Sequence, residues 1–180
     1  FRISFFGGGT DYAPWVREHG GASLVTTIDK YCYITARYLP KFFNHKSRLV
    51  YSNIELVNDN KEIQHSSIRE VLSHLNVSEG VEIHHDADLP ARTGLASSSA
   101  FTVGLLNVIR NLIGRKSDKI ALAREAIYIE QERCKENVGC QDQLATAMGG
   151  LNLMEFTFDK VPGYSVERVS IGLERIKELN

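Results

Sequence analysis

Apolar and polar residues alternate along several short runs of this chain, and that period of two predicts strands. RISFF (2–6), ASLVTTI (22–28) and YCYITARYL (31–39) read this way, the third rich in aromatic and β-branched residues. Asp29-Lys30, between the last two, is expected to form a hairpin-like turn. RLVYS and IELV supply shorter strands, and in GVEIHHDADLP the alternation of Val81, Ile83 and His85 stops at Pro90. LNLMEF and YSVERVSI return to the strand pattern near the end.

Elsewhere the period lengthens to that of a helix. Ile68, Val71, Leu72 and Leu75 share one face of HSSIREVLSHL. Further helices are predicted from about Ser97 to Ile113, from about Asp118 to Cys134, and from Cys140 or Gln141 to Gly149-Gly150. Sheet elements early and helices clustered later make an α+β or mixed α/β domain. No internal repeat, low-complexity tract or linker interrupts it.

Composition narrows the function classes. The 180 residues are 43% hydrophobic, enough for one substantial core, and the formal net charge is -1. Without a basic excess there is no broad electrostatic reason to favour nucleic acid or an anionic membrane, so the expected partner is a small molecule. Three cysteines with no C-x-x-C pair suggest neither a disulfide framework nor a thiolate zinc site, and they read as a reducing cytoplasm. The chain opens at Phe1 inside strand-like sequence and stops at Asn180 after GLERIKELN, so it reads as a fragment.

Several phosphate and catalytic motifs fail letter by letter. There is no G-x-x-x-x-G-K-[ST], no G-x-S-x-G and no H-E-x-x-H, and Tyr12 stands where a dinucleotide fingerprint beginning at Gly7 needs its third glycine. His84 and His85, adjacent in a strand, point to opposite faces and form no chelating pair.

LPARTGLASSSA (89–100) survives the test. Gly94 allows a sharp turn and Ala96 leaves the backbone uncrowded. Ser97, Ser98 and Ser99 then fall where a helix start leaves N–H groups without internal partners. Those donors and the helix dipole suit an anion, and serine hydroxyls add hydrogen bonds or a magnesium ligand. A plain N-cap is the alternative, although one serine would suffice for that. Glu130 falls in the middle of an apolar arc formed by Ile120, Leu122, Ala123, Ala126, Ile127, Ile129 and Cys134, so a salt bridge or a bound cation is expected at it. Asp142, in the first turn of the last helix, either complements the dipole or takes a proton from a substrate hydroxyl. An anion cradle with two such carboxylates outlines phosphoryl transfer.

RISFFGGGTDY, PARTGLASSSA and GCQDQ, in that order, resemble the motifs of the GHMP kinases, the family of galactokinase, homoserine kinase and mevalonate kinase. The resemblance covers essentially all of residues 1–180. It implies the family's N-terminal ATP-binding domain, similar to domain 2 of ribosomal protein S5, a mixed sheet packed by helices, with a C-terminal domain expected beyond this fragment. It makes Pro90 to Ala100 the ATP phosphate loop, with Pro90, Gly94, Leu95, Ala96, Ser97, Ser98 and Ser99 as cofactor contacts. Ala96 replaces the family's usual glycine, a change expected to be tolerated. Ser98 and Glu130 are implied as Mg2+ ligands, Glu132 being a weaker choice than Glu130. Asp142 is implied as the catalytic aspartate and Arg2 as the basic residue paired with it.

GGGTD and QDQ resemble the sugar-1-kinase branch, heptose 7-phosphate kinases especially, with fucokinase-like enzymes close behind. Asp11 would bind sugar hydroxyls, helped by Gly8, Gly9 and Thr10. Arg17, Arg37 and Lys30 are the basic residues considered for a distal phosphate. A non-catalytic sugar or nucleotide sensor on the same fold would have no need of Asp142, Glu130 or Arg2. An RNA-binding role lacks the basic charge, and a decarboxylase of the same superfamily fits GGGTD less well.

Overall fold

A computed structural model describes residues 1–91, 93–159, 163–172 and 174–175. Arg92, within the serine loop, and the predicted domain's last residues, 176–180, lie outside the described residues.

The strands are β1 (Arg2–Phe6), β2 (Gly21–Thr27), β3 (Cys32–Tyr38), β4 (Ser47–Val50), β5 (Ile54–Val57), β6 (Val81–Ala87), β7 (Leu151–Phe156) and β8 (Tyr164–Arg168). The helices are α1 (Ala13–His19), α2 (Ser66–His74), α3 (Ser97–Leu112), α4 (Lys119–Tyr128) and α5 (Gln141–Met148). The architecture is α+β, as the pattern predicts. Helix α1 occupies a stretch to which the periodicity assigned no element. Pro14 sits in its first turn, where a missing N–H does no harm, and only Val16 of its residues is buried.

Two four-stranded sheets form. One is antiparallel, in the order β1-β2-β7-β8; the other is mixed, β3-β6-β4-β5, with β4 and β6 parallel. The expected hairpin at Asp29-Lys30 is therefore absent: β2 pairs with β1 and β7, while β3 pairs with β6 in the other sheet. Alternation shows which face of a strand is apolar and says nothing of which strand lies beside it.

The alternation itself is visible in the burial. Asn152, Met154 and Phe156 of β7 point inward with Ser23 and Val25 of β2. Helix α5 packs on β2, α3 on β3, and α4 against both helices, so the helices lie between the sheets. One core joins the mixed sheet to α2, α3 and α4 through Leu49, Ile83, Leu72, Leu106 and Leu122; a smaller one joins the antiparallel sheet to α5 through Val25, Leu144 and Met154. Gly7, at φ 73°, turns the chain out of β1 so closely that a Cβ there would lie 1.8 Å from the Ala22 carbonyl oxygen. Among the described residues no helix is long and apolar enough to cross a membrane.

Candidate active site

Helix α3 starts without a side-chain cap. Its N-cap is Ala96, held left-handed at φ 63° and ψ 35°, and the first internal bond runs from Ala100 N to the Ala96 carbonyl at 2.9 Å. The serines therefore do not serve as the N-cap. The N–H groups of Ser97, Ser98 and Ser99 have no partner within the helix, which is the arrangement that attracts an anion. The three hydroxyls part company because each residue turns the helix by about 100°. Ser97 and Ser98 line a cavity of about 750 Å³, whereas Ser99 is buried and its hydroxyl donates to Glu130 Oε2 at 2.9 Å.

Glu130 sits where the predicted long helix changes character. After Tyr128 the chain widens into a π turn over Ile129–Arg133, closed by Cys134 N donating to the Ile129 carbonyl at 2.8 Å. Glu130 is 0% exposed, and Gln143 Nε2 also donates to its Oε2. Burial raises the pKa of its carboxyl above the ordinary range, against hydrogen bonds from Thr102, Ser99 and Gln143 that favour the charged form. Among the described residues its Oε1 has no hydrogen-bond partner although it is buried. An orphan carboxylate oxygen beside a hydroxyl-lined helix start fits a hard cation such as Mg2+. Among the described residues no three His, Cys, Asp or Glu side chains gather into a self-sufficient metal site. Glu132 points away: its side chain is 63% exposed and lies 3.5 Å from Lys135.

Asp142 stands in the first turn of α5, facing the start of β1. Arg2 reaches it through Nε at 2.8 Å and Nη2 at 2.6 Å, while Arg2 Nη1 donates to the Gly94 carbonyl at 2.9 Å. The Arg2 backbone N–H donates to the Leu95 carbonyl at 3.2 Å, so one residue ties strand β1, the serine loop and α5 together.

On the other side of this pair lies the glycine-rich turn. Gly8, Gly9 and Asp11 line a second cavity of about 470 Å³, with Ser4, Leu95 and Gln141. Asp11 Oδ2 also accepts the Gln141 backbone N–H at 2.9 Å, so it completes the start of α5. Its seat exists because position 139 is glycine; a Cβ there would lie 1.9 Å from Asp11 Oδ2. Thr10 does not line this cavity, and its hydroxyl donates to the Gly7 carbonyl at 2.7 Å. Burial, with Asp11 adding to it, pushes the neighbouring Cys140 thiol up to about 12, which leaves it neutral and unreactive.

The two cavities share Arg2, Tyr12, Gly94 and Asp142. Of the serine loop, Gly94, Ala96, Ser97 and Ser98 line the larger one and Leu95 the smaller; Pro90 lines neither. Tyr51, His65 and His85 also line the larger cavity and were not picked out from the sequence as site residues. Ring centroids of His65 and His85 each lie 4.8 Å from that of Phe101, while His84 contacts Glu82, so the two adjacent histidines do face opposite ways. None of Arg17, Arg37 and Lys30 lines either cavity; Arg37 pairs with Glu82 and Arg17 lies over the Phe158 ring. A further cavity of about 640 Å³, beside Tyr38, Phe43 and Gly80, holds none of the predicted site residues.

Residues 62–150, which hold the serine loop, Glu130 and Asp142, match the family model of the GHMP kinases N terminal domain. Over those residues the chain is similar to a GHMP kinase N-terminal domain. Among particular proteins it is similar to the D-glycero-alpha-D-manno-heptose 7-phosphate kinase of Campylobacter jejuni, with 30% identity over 98% of this chain and 52% of that protein. The chain thus spans about half the length of that curated relative. The crystal structure of a D-glycero-D-manno-heptose 1-phosphate kinase from Bacteriodes thetaiotaomicron superposes with a TM-score of 0.87 at 24% identity, covering 99% of this chain and 60% of that one. Lactococcus lactis galactokinase, complexed with galactose, gives a TM-score of 0.69 at 18% identity over 95% of this chain and 46% of that one. At these identities the two structures establish a shared fold.

Proposed function

We propose that residues 1–180 form the N-terminal ATP-binding domain of a sugar kinase, which transfers the γ-phosphoryl group of ATP to the anomeric hydroxyl of D-glycero-D-manno-heptose 7-phosphate. One observation carries this reading: two cavities, one against a helix start with spare N–H donors and one against a glycine turn with a carboxylate, meet at the Arg2–Asp142 pair. A phosphoryl donor in the first and a hydroxyl acceptor in the second would have their reacting atoms next to the same aspartate. The choice of sugar rests on the Campylobacter jejuni relative.

In this reading Ser97, Ser98 and the N-terminus of α3 hold the triphosphate, and Gly8, Gly9 and Asp11 hold the sugar. The acceptor oxygen attacks the γ-phosphorus, the bond from that phosphorus to the β,γ-bridging oxygen breaks, and ADP leaves. Asp142 accepts the hydroxyl proton through its carboxylate, with Arg2 holding that carboxylate in place. Magnesium, when bound, neutralises charge on the phosphates; Ser98 and Glu130 are the residues that would hold it. Positioning and charge stabilisation supply most of the acceleration in such a reaction.

The test is a sugar panel offered to the full-length protein with Mg-ATP. Heptose 7-phosphate is expected to turn over with the highest kcat/KM. Turnover of a free hexose but not of heptose 7-phosphate would overturn the substrate assignment.

A further inference from the structure

Asp142 uses its two oxygens unequally. Arg2 Nε, Arg2 Nη2 and Gln141 Nε2 all approach Oδ1, at 2.8, 2.6 and 3.3 Å. Among the described residues no hydrogen bond reaches Oδ2. One oxygen is held and the other is left to the cavity, which is how a carboxylate is aimed at an incoming hydroxyl.

Arg2 is one of the two residues that do the holding, and Gln141 is the other. It is 3% exposed, and three of its hydrogen-bonding groups are engaged at the site. Its backbone N–H donates to Asp11 Oδ2 at 2.9 Å, its Oε1 accepts from Ser4 Oγ at 3.1 Å, and its Nε2 donates to Asp142 Oδ1. The carboxylate, which can only accept, fixes which end of the amide faces it, and the Ser4 hydroxyl then anchors the other end by donating to Oε1. Through one side chain, strand β1 therefore sets the orientation of the aspartate, and the same residue's backbone connects it to the acceptor-side carboxylate.

We propose that Gln141 is a positioning residue for phosphoryl transfer: a buried amide, anchored by Ser4, that helps hold Asp142 Oδ1 so that Oδ2 faces the acceptor hydroxyl. The proposal rests on the kinase reading above. The bond to Asp11 comes from the backbone and survives a change of side chain.

The test uses the full-length protein with Mg-ATP and the sugar phosphate that it turns over. Gln141→Met keeps the length and volume of the side chain and removes both of its hydrogen bonds. It is expected to lower kcat on the order of 10²-fold, as for a misaimed catalytic group, with acceptor KM and nucleotide affinity near wild type. A side chain that merely fills space between β1 and α5 would leave Met at wild-type kcat, and that result overturns the proposal. Ser4→Ala, which removes the anchor on the amide oxygen, is expected to lower kcat about 5-fold, the equivalent of one hydrogen bond. If Gln141→Met does not fold, Ser4→Ala decides alone, wild-type kcat overturning the proposal. Asp142→Asn separates the two levels: full activity there defeats the kinase mechanism itself, whereas an inactive Asp142→Asn beside a fully active Gln141→Met defeats only the role of Gln141.

Discussion

Ser99 and Glu130, 31 positions apart, are joined by a 2.9 Å hydrogen bond in which the hydroxyl donates to a fully buried carboxylate. The third serine of the loop thus faces the protein interior, and its neighbour Ser98 faces the cavity. Ser99→Ala is expected to destabilise the domain by about 1–3 kcal/mol, because it removes a partner from a buried acceptor that has few. Ser98→Ala, on the exposed side of the same turn, is expected to stay within about 0.5 kcal/mol of wild type. Urea denaturation of both variants separates the two roles; equal losses would contradict the geometry.

Ala96 is held in the left-handed region, at φ 63°. That conformation costs a residue with a Cβ about 1–2 kcal/mol, while glycine adds about 0.4–1 kcal/mol of unfolded-state entropy to be lost. Ala96→Gly is therefore expected to stabilise by about 0.5–1 kcal/mol. A higher urea midpoint for the glycine variant is the check.

Gly139→Ala would place a methyl group 1.9 Å from Asp11 Oδ2 and force that carboxylate out of its seat. The disturbance falls on the acceptor side, since Asp11 lines the smaller cavity and not the larger. In the full-length protein, acceptor KM is expected to rise while affinity for nucleotide, measured by calorimetry, stays at the wild-type value. Weakened nucleotide binding would show that the two cavities are not separable in this way.

Burial lowers the pKa of both His65 and His85 below the usual histidine value, with Glu55 and Asp86 respectively opposing the shift. The unfolded chain then binds more protons than the folded one between the lowered values and about 6.5, so stability rises with pH across that window. Folding stability is expected to fall as pH drops below about 6.5, and the double variant His65→Gln, His85→Gln should show a flatter profile between about pH 5 and 7.5. Parallel profiles for the two proteins would contradict this.

The parts of the site legible in the sequence are those whose chemistry is local. A loop of small residues entering a helix, a carboxylate on an apolar arc and an aspartate in a first helical turn can each be seen within about ten residues. Partnership is not local. Gln141 attracts no notice as a glutamine in a helix start until Ser4, 137 positions earlier, is seen to face it. Ser98 and Ser99 are indistinguishable as letters, and the register of α3 separates them. The wide turn at Ile129–Arg133 leaves no mark in the periodicity, and without it the burial of Glu130 reads as a fault in a regular helix. Strands suffer likewise: β2 and β3 follow each other by a few residues and end in different sheets, since long-range pairing with β7 and β6 outweighs proximity in sequence.

Arg2 and Asp142 stand 140 positions apart. Bringing the ends of so long a loop together costs about 4 kcal/mol of chain entropy before any contact repays it. No fragment of the fold can hold that pair cheaply. The strand that carries Arg2 must pair with β2, and α5 must dock on β2 as well, before guanidinium and carboxylate can meet. The aspartate therefore acquires its aimed geometry only when β1 and α5 have been gathered on the antiparallel sheet, so the chemistry of the site depends on the whole of that sheet being in place.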